Sequence, residues 1–214
     1  TMHGWEGAAP AMIGLALTAA FALVETWFND IENFALIRYV LALASCLGAG
    51  LLWSGAWAVA NRLFGSHARL GRHLFIMGSG ICAMGLWRLA SATMAYAWDA
   101  PVLTRYANLP ILAIVCAMLY FHLCTIKPHN PRRYAIGSGI TFATSATLLL
   151  MLNLQSTGRT SDELYMSALL PPQWQLSAER SSDQFMANAA ALRSAADAAR
   201  SRGSAADDTD EDDE

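Results

Sequence analysis

The residues ALIRYVLALASCLGAGLLWSGAWAVA (35–60), NRLFGSHARLGRH (61–73) and LFIMGSGICAMGLWRLASATMAYAW (74–98) run apolar, basic, apolar without interruption. A transmembrane helix needs roughly 20 mostly apolar residues to cross about 30 Å of hydrocarbon at 1.5 Å per residue, and both flanks meet that length. Working outward, Ala9 to Phe28, Leu109 to Ile126 and Ala135 to Leu154 meet it too, the fourth run being the shortest. The fold class is therefore all-α, a polytopic membrane helix bundle of about five transmembrane helices. A surface helix of a soluble protein would carry a charged face at 3.6-residue spacing. These runs are apolar all round, with their few charges mostly at the ends.

The basic stretch also orients the bundle. Arg62, Arg69 and Arg72 lie between spans two and three, and Lys127, Arg132 and Arg133 between spans four and five. The alternating loops carry Asp30 and Glu32, then Asp99 and Arg105. Lys and Arg near span ends are retained in the cytoplasm. Both basic loops are thus expected inside, the N-terminus inside and the C-terminal segment outside. Trp27, Trp98 and Tyr106 would mark the outer headgroup level and Tyr134 the inner one, while Trp53, Trp57 and Trp87 fall within spans and are expected to pack on neighbouring helices. The leader, Thr1–Gly7, contains no Lys or Arg, unlike a secretory n-region. The first run is therefore read as a retained helix, although Ala20-Phe21-Ala22 loosely matches a cleavage site.

Lys127 is the single lysine among 14 basic residues, and alanine is abundant. That usage suggests a bacterial source, an inner-membrane location and a periplasmic outer side. Cys46, Cys82, Cys116 and Cys124 all fall within spans, form no CxxC pair and imply no disulfide framework or metal site. The net charge of -3 conceals a division. Seven acidic residues cluster between Asp207 and Glu214, a block whose self-repulsion predicts a disordered tail over 204–214.

Arg88, past the middle of span three, is the costliest residue, at about 3 kcal/mol on lenient insertion scales. It should face the bundle interior, with Glu25 near the outer end of span one as its partner. The pair admits two readings, a lock between helices or part of a solute pathway. Arg38 is expected to meet Glu32 or a lipid phosphate. His122 and Asn153, near span ends, read as unremarkable, and His67, His73 and His129 share the basic side. No HExxH, His-Cys or carboxylate cluster points to a metal or other cofactor.

Small residues mark helix contacts. Gly14, Thr18 and Ala22 form one stripe and Gly137, Thr141 and Ser145 another, while span two offers Ala44 with Gly48 and Gly50 with Ser54. Gly78-Ser79-Gly80-Ile81 in span three is echoed by Gly137-Ser138-Gly139-Ile140 in span five. Coincidence or shared helix-entry chemistry explains the echo better than a duplicated hairpin of the kind transporters use. Beyond span five, residues 155–203 read as an extracytoplasmic linker with amphipathic helices. Ser161-Asp162-Glu163 starts a short apolar element that ends at Pro171-Pro172. A second helix starts near Ser182-Asp183, with Phe185, Ala189, Leu192, Ala196 and Ala199 at heptad-like spacing.

The stretch LLWSGAWAVANRLFGSHARLGRHLFI (51–76), with the following span ending in MAYAWD (94–99), resembles the membrane region of bacterial proteins that carry an N-terminal forkhead-associated domain. The resemblance covers mainly spans two to four. The phosphothreonine-reading domain itself is absent from this chain, and Thr1 before Met2 is compatible with a start further upstream. Such domains work in the cytoplasm, in keeping with the orientation read from the loops, and no ligand residue carries over. Sparse intramembrane polarity and the resemblance together point to a non-enzymatic signalling or scaffolding module with the lipid bilayer and other proteins as partners; orientation alone explains the basic loops, so no nucleic acid is expected. The alternative is a small-solute or ion transporter or channel using Arg88 and Glu25. An enzyme would need convergent catalytic groups at one membrane face, and no nucleophile–base pair stands out.

Overall fold

In a computed structural model the chain divides into two compact units, Thr1–Gln175 and Leu176–Glu214. The structure describes residues 7–30, 34–64, 68–100, 102–156, 170–177 and 181–211. Glu32, His67 and the apolar element expected to begin at Ser161 therefore lie, wholly or nearly so, outside the described residues. The described chain is helical, with no strand among these residues.

Unit one holds α1 (Ala8–Asn29), α2 (Leu36–Phe64), α3 (Leu70–Trp98), the short α4 (Val102–Arg105), α5 (Asn108–Ile126) and α6 (Pro131–Ser156). Five segments, with α4 and α5 counted together, are long and apolar enough to cross a bilayer. Their boundaries depart from the sequence reading by a few residues, mostly by extension into the loops. The extension matters at α3, which begins at Leu70 rather than Leu74 and so takes His73 into its first turn. Outward faces are apolar, with Leu52, Phe34, Leu63 and Leu154 all at least 70% exposed. A surface of that kind is a liability in water and ordinary against lipid tails.

Helix α3 is the hub: it packs most extensively on α1 and also meets α2, α4 and α5, while α6 rests on α5. The α1 contact face is Pro10, Gly14, Thr18 and Ala22, the small-residue stripe legible in the sequence. A Cβ on Gly14 would sit 2.3 Å from the Leu74 carbonyl oxygen, and one on Gly78 would sit 2.2 Å from the Gly14 carbonyl oxygen. Backbone meets backbone at this crossing, which only paired glycines permit. Helix α2 uses Gly50, Ser54, Ala58 and Asn61, so of its two small pairs only Gly50/Ser54 is buried.

One expectation fails on α6. Gly137 has open space where a side chain would go, as does Gly139, and Thr141 is exposed. Among the described residues the first two members of the span-five stripe therefore face away from other helices, and Ser145 is half-buried. The echoed tetrapeptides also differ in use: Gly78 abuts α1 and Gly80 abuts the Met118 side chain of α5, whereas their counterparts touch nothing. Sequence similarity of this length reflects shared composition, not equivalent packing.

The basic loops lie together at one end. The Arg69 guanidinium donates to the Thr125 carbonyl at 3.1 Å, joining the start of α3 to the last turn of α5. Gly71 abuts the Gly7 carbonyl, placing the start of α1 there as well. At the other end Asn153 donates to the Arg105 carbonyl at 3.3 Å and Arg38 pairs with Asp30. Asp30 stands at the α1 C-cap position, and Glu32, the partner expected for Arg38, lies outside the described residues.

Unit two contains α7 (Ser182–Glu211). Its start is a capping box: the Gln184 amide donates to Ser181 Oγ and the Ser181 amide to Gln184 Oε1, both at 3.2 Å. Phe185 and Leu192 are 66% and 72% exposed, so the heptad-like seam is uncovered within the unit. The helix continues past residue 204, where an unstructured acidic end was expected. Ala205 and Ala206 favour helix, and Asp212 to Glu214 lie outside the described residues.

Candidate functional site

Two polar clusters interrupt the apolar interior, at different depths along α3. The one nearer the basic loops was not legible as a site. Trp53 and Trp57, one turn apart on α2, lie on one helix face. His73 from the first turn of α3 and His122 from the last turns of α5 meet them, both fully buried. The imidazoles approach Nδ1 to Nδ1 at 2.9 Å. Trp57 covers His122 with ring centroids 5.0 Å apart and planes 6° from parallel. The Trp53 indole N–H donates to His122 Nε2 at 3.3 Å.

These contacts fix the proton inventory. An indole nitrogen only donates, so His122 Nε2 accepts and His122 carries its proton on Nδ1. That proton is donated to His73 Nδ1, which leaves His73 protonated on Nε2. Among the described residues His73 Nε2 has no partner, and neither does Asn61 Nδ2, two turns beyond Trp53 on α2. The chain of donors runs Trp53 to His122 to His73 and ends on an unused N–H. Arg69, holding a left-handed backbone (φ 46°), adds the Thr125 contact beside it. A cation at the C-terminal carbonyls of α5 is favoured by the helix dipole, so Arg69 has a local role in addition to any topological one.

His122 and His73 were thus misjudged from sequence. Being 49 residues apart, they carry no spacing signal. The available hint lay in α2, where Trp53, Trp57 and Asn61 recur every fourth residue in an otherwise apolar span. Of the other expected residues, Arg62 belongs to the last turn of α2, Arg72 to the first of α3, and Lys127, Arg132 and Arg133 flank the turn into α6. Trp87 packs as expected, donating to the Ala107 carbonyl at 2.9 Å. Among the described residues no three His, Cys, Asp or Glu side chains converge as metal ligands.

The second cluster lies further along α3. The Glu25 carboxylate and the Arg88 guanidinium are 3.6 Å apart, with side chains 41% and 64% exposed. Arg88 was expected to face the bundle interior. It lies instead at the rim of a lateral cavity of about 580 Å³ between α1, α3 and the α4–α5 turn. Phe21, accommodated against Gly85, forms part of the cavity wall. The pair ties α1 to α3 at this depth, as the Gly14–Gly78 crossing does nearer the other end.

No protein-family model matches the chain, and neither curated proteins nor solved structures provide a significant match. The fold and its exposed apolar surface define the class: a multi-pass helical bundle compatible with an integral membrane protein.

Proposed function

We propose that the chain is the membrane module of a signalling or scaffolding protein without catalytic activity. In this reading it sits in a bacterial inner membrane. The N-terminus and both basic loops face the cytoplasm, and the C-terminal unit lies in the periplasm. The observation that carries the proposal is the separation of the two polar clusters. His73 and Arg88 are 15 residues apart on α3, about 22 Å at helical rise. Between them the α1–α3 interface is closed by glycine-mediated backbone contact. Each cluster joins helices: Trp53, Trp57, His73 and His122 connect α2, α3 and α5, and Glu25 with Arg88 connects α1 and α3. Such cross-links suit a rigid anchor that holds a cytoplasmic partner at fixed orientation. The likeness to membrane regions behind forkhead-associated domains points the same way.

A second reading, a small-solute or ion transporter, draws on the cavity beside Glu25 and Arg88. Reconstitution into liposomes separates the two, using ion and proton flux dyes and solute counterflow. The anchor reading expects flux no greater than that of protein-free vesicles. It also expects Arg88→Ala to lower thermal stability without altering the leak. Flux in the unaltered protein that disappears in a folded Arg88→Ala variant would overturn it in favour of transport.

A further inference from the structure

A groove separate from both polar clusters runs down the outside of the bundle between α3 and α5. Its volume is about 720 Å³, and it opens laterally. From α3 it is lined by Phe75, Ile76, Ser79, Gly80 and Ala83, beginning at Arg72. From the antiparallel α5 it is lined by Phe121 near the Arg72 end and by Met118, Ala117 and Ile114 progressively deeper. The single polar side chain below the mouth, Ser79, is already satisfied by the Phe75 and Ile76 carbonyls at 2.8 and 3.1 Å. Gly80 gives Met118 its room, since a Cβ there would lie 2.1 Å from the Met118 sulfur. The groove is therefore apolar throughout its depth, with one flexible methionine in its wall.

Length and charge together select an occupant. Arg72 to Ala83 spans eleven residues, about 16 Å of helix, which is half of a roughly 30 Å hydrocarbon core. The groove is thus one leaflet deep. At its mouth Arg72 is exposed and no carboxylate lies within ion-pair distance of it among the described residues. Arg69, Lys127, Arg132 and Arg133 surround that end with the same sign of charge. An acyl chain below and an anionic phosphate above would satisfy both halves of the groove. We propose that the α3–α5 groove is a binding site for one anionic phospholipid of the leaflet on the basic-loop side, with Arg72 holding its phosphate. The site is independent of the signalling reading and of the Glu25–Arg88 pair.

Native mass spectrometry of the purified full chain, titrated in detergent with phosphatidylglycerol or phosphatidylcholine, tests this. The unaltered protein should hold one phosphatidylglycerol in preference to phosphatidylcholine. Arg72→Gln should reduce that preference about fivefold, the weight of one arginine against an anionic surface. Arg133→Gln, outside the groove, should reduce it by less than about twofold, a screened long-range contribution. Ala83→Trp, which fills the deep end, should prevent retention of either lipid while the protein elutes as a folded monodisperse species. Equal losses for Arg72→Gln and Arg133→Gln would overturn the site in favour of diffuse annular attraction. Full retention by Arg72→Gln would remove the assigned role of the arginine, and displacement by inorganic phosphate alone would show a free-anion site instead.

Discussion

The histidine pair yields an asymmetric prediction that depends on the direction of its proton chain. His122 takes part in two hydrogen bonds, accepting from Trp53 at 3.3 Å and donating to His73 at 2.9 Å. Replacing it with Phe removes both and leaves the Trp53 N–H and His73 Nδ1 without partners. His73 takes part in one hydrogen bond and already carries an unpartnered Nε2 proton. Replacing it with Phe removes one bond and that buried unpaired donor, while leaving the His122 Nδ1–H without its acceptor. Side-chain hydrogen bonds between membrane helices average about 0.6 kcal/mol and reach about 1.7. His122→Phe should therefore cost about 1–3 kcal/mol and His73→Phe less than about 1 kcal/mol. The double variant should cost less than the sum, because both ends of the shared bond are then apolar. Unfolding in mixed micelles, followed by tryptophan fluorescence, measures all three, since Trp53 and Trp57 are themselves reporters. If His73→Phe costs as much as His122→Phe, the proton assignment is wrong.

Two further substitutions examine packing and capping. Gly78→Ala places a methyl group 2.2 Å from the Gly14 carbonyl oxygen, so the helices must separate by more than 1 Å to reach ordinary contact; overpacking of this kind costs about 1–3 kcal/mol. Gly137→Ala, at the echoed position with open space around it, should be neutral or stabilising in the same unfolding assay. Ser181→Ala removes the acceptor for the Gln184 amide and should destabilise the first turn of α7 by about 1 kcal/mol, seen as faster amide hydrogen exchange at residues 182–185 and unchanged exchange in α1–α6.

What the sequence disclosed, and what it withheld, follows the range of the forces involved. Span positions are local: a run of apolar residues is sufficient, and Ala9 to Phe28 or Ala135 to Leu154 could be read to within a few residues of the helices without knowing any neighbour. The small face of α1 was legible for a related reason, since Gly14, Thr18 and Ala22 repeat at helical period. The same pattern on α6 misled, because small residues permit close approach without requiring it. Whether Gly137 finds a partner depends on where α6 lies, and α6 rests on α5 with its glycines turned outward. The histidine cluster was hidden for the strongest reason. Its members come from α2, α3 and α5, and each taken alone is a polar residue near a helix end. Their meeting depends on helix adjacency, which hydropathy does not encode.

The same adjacency changes the meaning of the basic loops. Read alone, Arg69 and Arg72 are two topological charges among six. In the folded bundle they separate in role although they are three residues apart. Arg69 turns inward, through a left-handed backbone that costs on the order of 1 kcal/mol, and caps the carbonyl of Thr125. Arg72 turns outward to the head of an apolar groove. Arg69 is engaged by the Thr125 carbonyl, whereas no carboxylate among the described residues lies within ion-pair distance of Arg72. A span-end charge count treats them alike. Only the helix phase distinguishes them, since residues three apart on α3 share a stripe but diverge at the helix start, where one is the cap and the other has joined the first turn. Counting charges orients a membrane protein, and locating their partners indicates which charges remain to bind something else.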